Sequence, residues 1–324
     1  MFRGSDALRD GLLTPDQLRG ENWMSLGYNV FADSRLDHDH ELSCRGLALD
    51  LPERACFAGP SAAYLHGVPH AASPGDRVHL VVPTGTRLNQ RKQAVVHRMQ
   101  LDGADVGTHR GYPVTSPLRT CWDLALWLDL VPAVTIIDAL LHAKLVSGEE
   151  LSELARARWG RHGAAKAAKA FGLADGRAES PQESRLRVGL VRNGVPRPEL
   201  QFPVAVTGGR LLHPDLAWPE YRVAVEYDGE WHDAPDQFHL DRRRLNLLVG
   251  EGWIVLHVTG RRLRTDFPAV VREVKTALRS RGWRPLDHST CLAHGRKRPQ
   301  DTPKCQASRM IKRAGRRAVS GGRW

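Results

Sequence analysis

The sequence predicts an α+β domain over residues 1–172, an α/β domain with a mixed sheet flanked by helices over 173–280, and a basic tail over 281–324. Three observations lead there. At about 150 residues per domain, 324 residues suggest two domains, and 41% apolar residues are enough to build their cores. The order of apolar patterns changes near residue 173, from scattered helices and strands to helix, three strands, helix, strand, helix. The charge is also partitioned. Residues 281–324 hold 12 Lys/Arg against 2 Asp/Glu, so nearly all of the net +11 lies in the tail and the preceding body stands near +1.

In the first half, residues 1–20 read as helical. Thr14-Pro15-Asp16-Gln17 is a capping box with proline at the first helical position, opening a second short helix. Residues 33–50 are amphipathic. Residues 54–67 read as a strand end followed by a small-residue helix. Val78–Val82, stopped by Pro83, and Ala94–Arg98 are strands. Ser116-Pro117 opens a helix on which Trp122, Leu126 and Leu130 share a face; a second helix runs from about Pro132 to Leu145, and Ser147-Gly148-Glu149-Glu150 caps a third. His66, His70, His79 and His97 are scattered and read as satisfied or exposed side chains. The Ala-rich stretch 156–169, with Arg156, Arg158, Arg161, Lys166 and Lys169 and no acid, predicts a basic helix. It reads either as a solvated linker or as a face that touches phosphates.

In the second half, Ser180-Pro181-Gln182-Glu183 is a further capping box, with Gly194 and Pro196 ending its helix. Gln201–Val206, Arg210–Ala217 and Arg222–Asp228 predict a three-stranded meander. Helices over about Pro235–Gly250 and Phe267–Ser280 enclose a strand at Trp253–Val258. Because side chains alternate along a strand, Glu226 and Asp228 point to one side, with Ala224 keeping that face open. Asp215 lies as far from the Pro219-Glu220 turn as Glu226 does. Three carboxylates therefore converge at one end of a sheet. Such a cluster stays ionised only around a cation, and an all-oxygen donor set suits Mg²⁺, with Mn²⁺ as a second choice. The competing reading is a hairpin whose acids are solvated at a sheet edge.

These residues resemble the PD-(D/E)xK restriction-endonuclease-like superfamily, and within it the DUF559 branch that is similar to very-short-patch-repair endonucleases. The resemblance rests on the Ser180–Arg187 helix start, Pro214-Asp215, Val225-Glu226-Tyr227-Asp228-Gly229 with Trp231-His232, Asp241–Arg244 and Gly252–Leu256. It implies Asp215 and Glu226 as metal ligands, Glu183 as a further ligand, His232 as the proton-moving group, and Arg242, Arg243 or Arg244 on the scissile phosphate. Asp228, in an assisting role, stands where the superfamily usually has lysine, a lysine that the very-short-patch-repair branch also lacks. Glu183 also sits at the third position of a capping box, so a purely helical role stays open, as does a loop role for His232. The N-terminal half resembles regions called AbiEi antitoxin-like, through Gly11-Leu12-Leu13-Thr14, Ser61-Ala62-Ala63 and Val114–Thr120.

The resulting expectation is a Mg²⁺-dependent DNA endonuclease in which water attacks phosphorus. The alternative is a non-catalytic DNA-binding regulator of the AbiEi kind. DNA is the expected partner, with Arg296, Lys297, Arg298, Lys312 and Arg313 of the tail meeting phosphates. A protein partner through the N-terminal domain is also open. Five cysteines without framework spacing suggest reduced thiols. With no apolar leader at the N-terminus and no uninterrupted apolar span, the sequence points to a cytoplasmic chain with no membrane partner.

Overall fold

The protein is described from a computed structural model covering residues 1–52, 54–86, 92–229 and 246–285. Met1–Trp283 form one compact unit and Arg284–Trp324 a second, which lies almost wholly outside the described residues.

The chain opens with β1 (Phe2–Arg3), α1 (Gly4–Arg9), α2 (Pro15–Leu18), β2 (Trp23–Gly27) and β3 (Val30–Asp33), the strands pairing in the order β1-β3-β2. The predicted capping box is present: Thr14 accepts from the Gln17 N–H at 3.2 Å, and the Gln17 carboxamide accepts from the Thr14 N–H at 2.8 Å. Where the sequence reads residues 1–20 as helical, Phe2–Arg3 instead pairs with Val30–Phe31. Phe2 packs edge-on against Trp23, an aromatic contact that outweighs the local helix preference.

A five-stranded mixed sheet follows, built from β4 (Cys56–Phe57), β5 (Val78–Val82), β6 (Ala94–Arg98), β7 (Val106–His109) and β8 (Tyr112–Thr115) in the order β6-β5-β4-β8-β7. Helices α3 (His40–Ala48) and α4 (Gly59–Leu65) pack on it through Cys44, Leu47, Ala62 and Leu65. A layer of α5 (Pro117–Trp127), α6 (Leu130–His142), α7 (Gly148–Ala157) and α8 (Ala164–Leu173) surrounds a core of Leu124, Ile137, Leu140 and Leu151.

The predicted basic helix over 156–169 is broken. Helix α7 stops at Ala157 and α8 starts at Ala164, with Gly160 and Gly163 both in the left-handed region (φ 83° and 81°). A Cβ on Gly163 would sit 2.8 Å from Leu126, so close packing on α5 as well as backbone geometry calls for glycine there.

The second half begins with α9 (Pro181–Arg192), followed by β9 (Glu199–Leu200), β10 (Val204–Val206), β11 (Arg210–Leu212), β12 (Leu216–Trp218), β13 (Val223–Asp228), β14 (Ile254–Thr259), α10 (Gly260–Thr265) and α11 (Phe267–Ser280). The mixed-sheet α/β arrangement flanked by helices is present, but the predicted meander divides. Strands β10 and β11 form their own hairpin, and the main sheet runs β14-β13-β12-β9. One face of that sheet (Leu216, Trp218, Val223, Val225, Val258) packs on α9 and α11 through Leu186, Leu190, Val270 and Val274. The other face (Ala217, Ala224) lies under Leu248, Trp253 and the β10–β11 hairpin. Ala224 is thus fully buried and does not leave the acidic face open as the alternation alone suggests. Helices α6 and α9 are locked by a buried ion pair between Asp138 and Arg187 at 2.6 Å. Among the described residues no helix is long and apolar enough to cross a membrane.

Candidate functional site

Asp215, Glu226 and Asp228 lie on neighbouring strands toward the C-terminal end of β13. Strands β12 and β13 are antiparallel, with Leu216 opposite Val225 and Ala217 opposite Ala224, and continuing this register sets Asp215 opposite Glu226. Asp215 lies just beyond the last ladder pair. There its carboxylate accepts the Tyr227 N–H at 2.8 Å, standing in for a strand carbonyl. Strand β14 runs parallel to β13, pairing Glu226 with His257 and Asp228 with Thr259. Residues in register share a face, so His257 joins Glu226 and Asp228 on the Ala224 side of the sheet. Its Nδ1 lies 2.9 Å from one Asp228 carboxylate oxygen and 3.1 Å from the other. Both side chains are partly exposed, at 38% and 47%.

His257 is the residue that sequence reasoning missed. It stands one position past the Gly252–Leu256 run, as the sole polar residue inside Ile254-Val255-Leu256-His257-Val258. That interruption was the available signal. Just beyond it, Arg262 of α10 donates to the His257 carbonyl at 3.3 Å and pairs with Glu273 at 2.6 Å.

Glu183 lies elsewhere in its bonding. It is 7% exposed, its N–H is capped by the Ser180 hydroxyl at 3.2 Å, and its carboxylate accepts the Glu179 N–H at 3.0 Å. The side chain therefore serves the start of α9, one residue earlier than an ideal capping box would place it. His232, Asp241, Arg242, Arg243, Arg244 and the tail residues Arg296, Lys297, Arg298, Lys312 and Arg313 lie outside the described residues.

Among the described residues, no group of three or more His, Cys, Asp or Glu is arranged to hold a metal ion. Asp215 accepts a backbone N–H and Asp228 faces an imidazole.

In the N-terminal half the histidines are held by the fold. His40 bonds the Ser61 hydroxyl at 2.8 Å through Nε2 and faces the Ser73 carbonyl at 3.2 Å through Nδ1. His79 Nδ1 and His97 Nε2 are 3.2 Å apart, and the His97 ring stacks on Trp127 at 3.5 Å. Burial pushes the pKa of both His79 and His97 down to about 4, so both are neutral at pH 7. Arg119 lies between Asp123 (2.9 Å) and Asp105 (2.7 Å), and Asp105 also meets Arg158 at 3.2 Å.

Residues 54–172, which span this sheet and helical layer, match the family model of the AbiEi antitoxin C-terminal domain. The chain carries an AbiEi-like antitoxin domain. Two proteins of Mycobacterium tuberculosis, the uncharacterized proteins MT2308 (strain CDC 1551 / Oshkosh) and Rv2248 (strain ATCC 25618 / H37Rv), are each 29% identical to it over 243 residues. These alignments cover 75% of this chain and 87% of each relative, so the likeness extends beyond the AbiEi-like domain itself. The crystal structure of RV2827C protein from Mycobacterium tuberculosis aligns with 56% of this chain and 68% of that chain, at 20% identity and a TM-score of 0.36.

Proposed function

We propose that this protein is a non-catalytic DNA-binding regulator of the antitoxin kind, in which a nuclease-like sheet serves as scaffold. The observation that carries this reading is the AbiEi-like domain over residues 54–172. The sheet end supports it in detail. Where a nuclease of the resembled superfamily places lysine, this chain has Asp228, and the partner of Asp228 is an imidazole on the neighbouring strand. Glu183 completes a helix start. The test is gel-shift and footprinting of the full chain on duplex fragments selected from its source genome, with and without chelator, alongside plasmid cleavage in Mg²⁺ and Mn²⁺. The expected result is a footprint indifferent to chelator and no cleavage.

One observation favours a second reading, that of a metal-dependent DNA endonuclease. Asp215 faces Glu226 across β12 and β13, with Asp228 and His257 at the same sheet end. On that reading Asp215 and Glu226 would hold Mg²⁺ or Mn²⁺, whose chemistry would be Lewis-acid polarisation of a phosphate, and His232 or His257 would move the proton. Cleavage in Mg²⁺ that disappears in Asp215→Ala and Glu226→Ala would establish it and displace the regulator reading.

A further inference from the structure

The broken basic stretch between α7 and α8 exposes an aromatic ring. Trp159 is 75% exposed on the turn 158–163. A large apolar ring in water is costly, and a mobile loop would fold it back onto the protein. This turn is braced on both sides. Arg158, next to Trp159 in the chain, is tied down, its guanidinium 4.8 Å from the Trp122 ring and 3.2 Å from Asp105. Gly163 seats on Leu126, and Lys166 Nζ donates to the Leu126 carbonyl at 2.8 Å. The turn therefore presents Trp159 outward in a fixed position.

The surroundings of the ring select its partner. No acid occurs from residue 154 to 174. Arg156, Arg161, His162 and Lys169 are exposed, and among the described residues none of Arg156, Arg161 and Lys169 forms an ion pair. A flat ring among unneutralised cations complements a polyanion that itself carries flat apolar faces. Nucleic acid bases with their phosphates fit that description. A membrane interface would need an apolar face to insert, and the exposed side of α8 next to Trp159 carries Ala165, Lys166 and Lys169.

We propose that the 156–169 segment is a stacking contact for an unpaired DNA base. Trp159 supplies the platform, and Arg156, Arg161 and Lys169 hold the flanking phosphates. This rests on the DNA-binding reading above and adds a preference for single-stranded or locally unpaired DNA.

The experiment is fluorescence anisotropy of the full chain with a labelled oligothymidylate of about 16 nucleotides, and with a fully paired duplex of equal length, over a salt series. Trp159→Ala is expected to weaken oligothymidylate binding roughly 5- to 150-fold, the range for losing one stacked base, with an unchanged salt slope. Trp159→Phe should recover most of the loss. Arg156→Gln, Arg161→Gln and Lys169→Gln should each reduce the salt slope by about one. All four positions are exposed, so folding is not at stake. Equal affinity of Trp159→Ala and wild type for oligothymidylate overturns the proposal, as does the absence of any oligothymidylate binding. So does Trp159-dependent binding to vesicles of anionic phosphatidylglycerol, which would make the patch a membrane contact. If duplex binding persists through any of these failures, the regulator reading survives without this site. If the chain binds neither DNA, both fail.

Discussion

Two regions of the protein treat their carboxylates in opposite ways. At the seam of the AbiEi-like helical layer, Asp138 is 1% exposed and receives the Arg187 guanidinium, the Ser184 hydroxyl and the Asp175 N–H, at 2.6, 2.6 and 2.7 Å. Arg119 is likewise enclosed by Asp105 and Asp123. These are permanent cations held against buried or largely buried acids, a structural arrangement. At the end of β13, Asp228 remains 47% exposed, and its partner is the His257 imidazole, itself 38% exposed. The contrast separates carboxylates that build the fold from carboxylates left available at its surface.

Removing one member of a buried pair should have the largest effect. Arg187→Met strands the Asp138 carboxylate, and the expected loss is about 3–5 kcal/mol in urea unfolding. The double variant Asp138→Leu with Arg187→Met should recover part of it. A loss under 1 kcal/mol would erase the distinction between the two regions.

Acid should act next, through the stacked His79–His97 pair. Both pKa values lie near 4 in the fold, because burial disfavours the charged ring, against about 6.5 in an unfolded chain. The unfolded state therefore binds more protons between those values. The stability from these neutral rings is complete above about pH 6.5 and is lost as pH falls toward 4. The urea midpoint should decline from pH 7 to 4.5, and the His79→Gln/His97→Gln variant should decline less steeply. Parallel pH profiles for the two proteins would remove the histidines from the account.

The smallest effect belongs to the exposed pair. Asp228→Asn should change stability by less than about 1 kcal/mol, since solvent screens a half-exposed interaction. A cost as large as that of Arg187→Met would place Asp228 among the structural carboxylates.

Much of the local architecture was legible because its causes are local. Thr14, Ser116, Ser147 and Ser180 each cap the helix predicted to follow, and the strands Val78–Val82 and Ala94–Arg98 fall where their apolar runs lie. The hairpin β7–β8 was not legible. Val106-Gly107-Thr108-His109 is polar and exposed, and only pairing with Tyr112–Thr115 makes it a strand. The 156–169 segment misled for the opposite reason. Its alanines favour helix, while the two left-handed glycines and the contact of Gly163 with Leu126 impose a turn.

The candidate site divides along the same line. That Asp215, Glu226 and Asp228 share one sheet end follows from the period of two and the length of a hairpin, quantities written in the sequence. That Asp228 meets His257 was decided by the parallel pairing of β13 with β14, which joins residues 29 positions apart along the chain. The burial of Ala224 under Leu248 and Trp253, and the exposure of Trp159, are likewise products of what packs against each element. Caps, turns and alternation depend on neighbours a few residues away, so the sequence alone determines them. Partners across a sheet depend on which surfaces bury the most apolar area together, and only the assembled chain decides that.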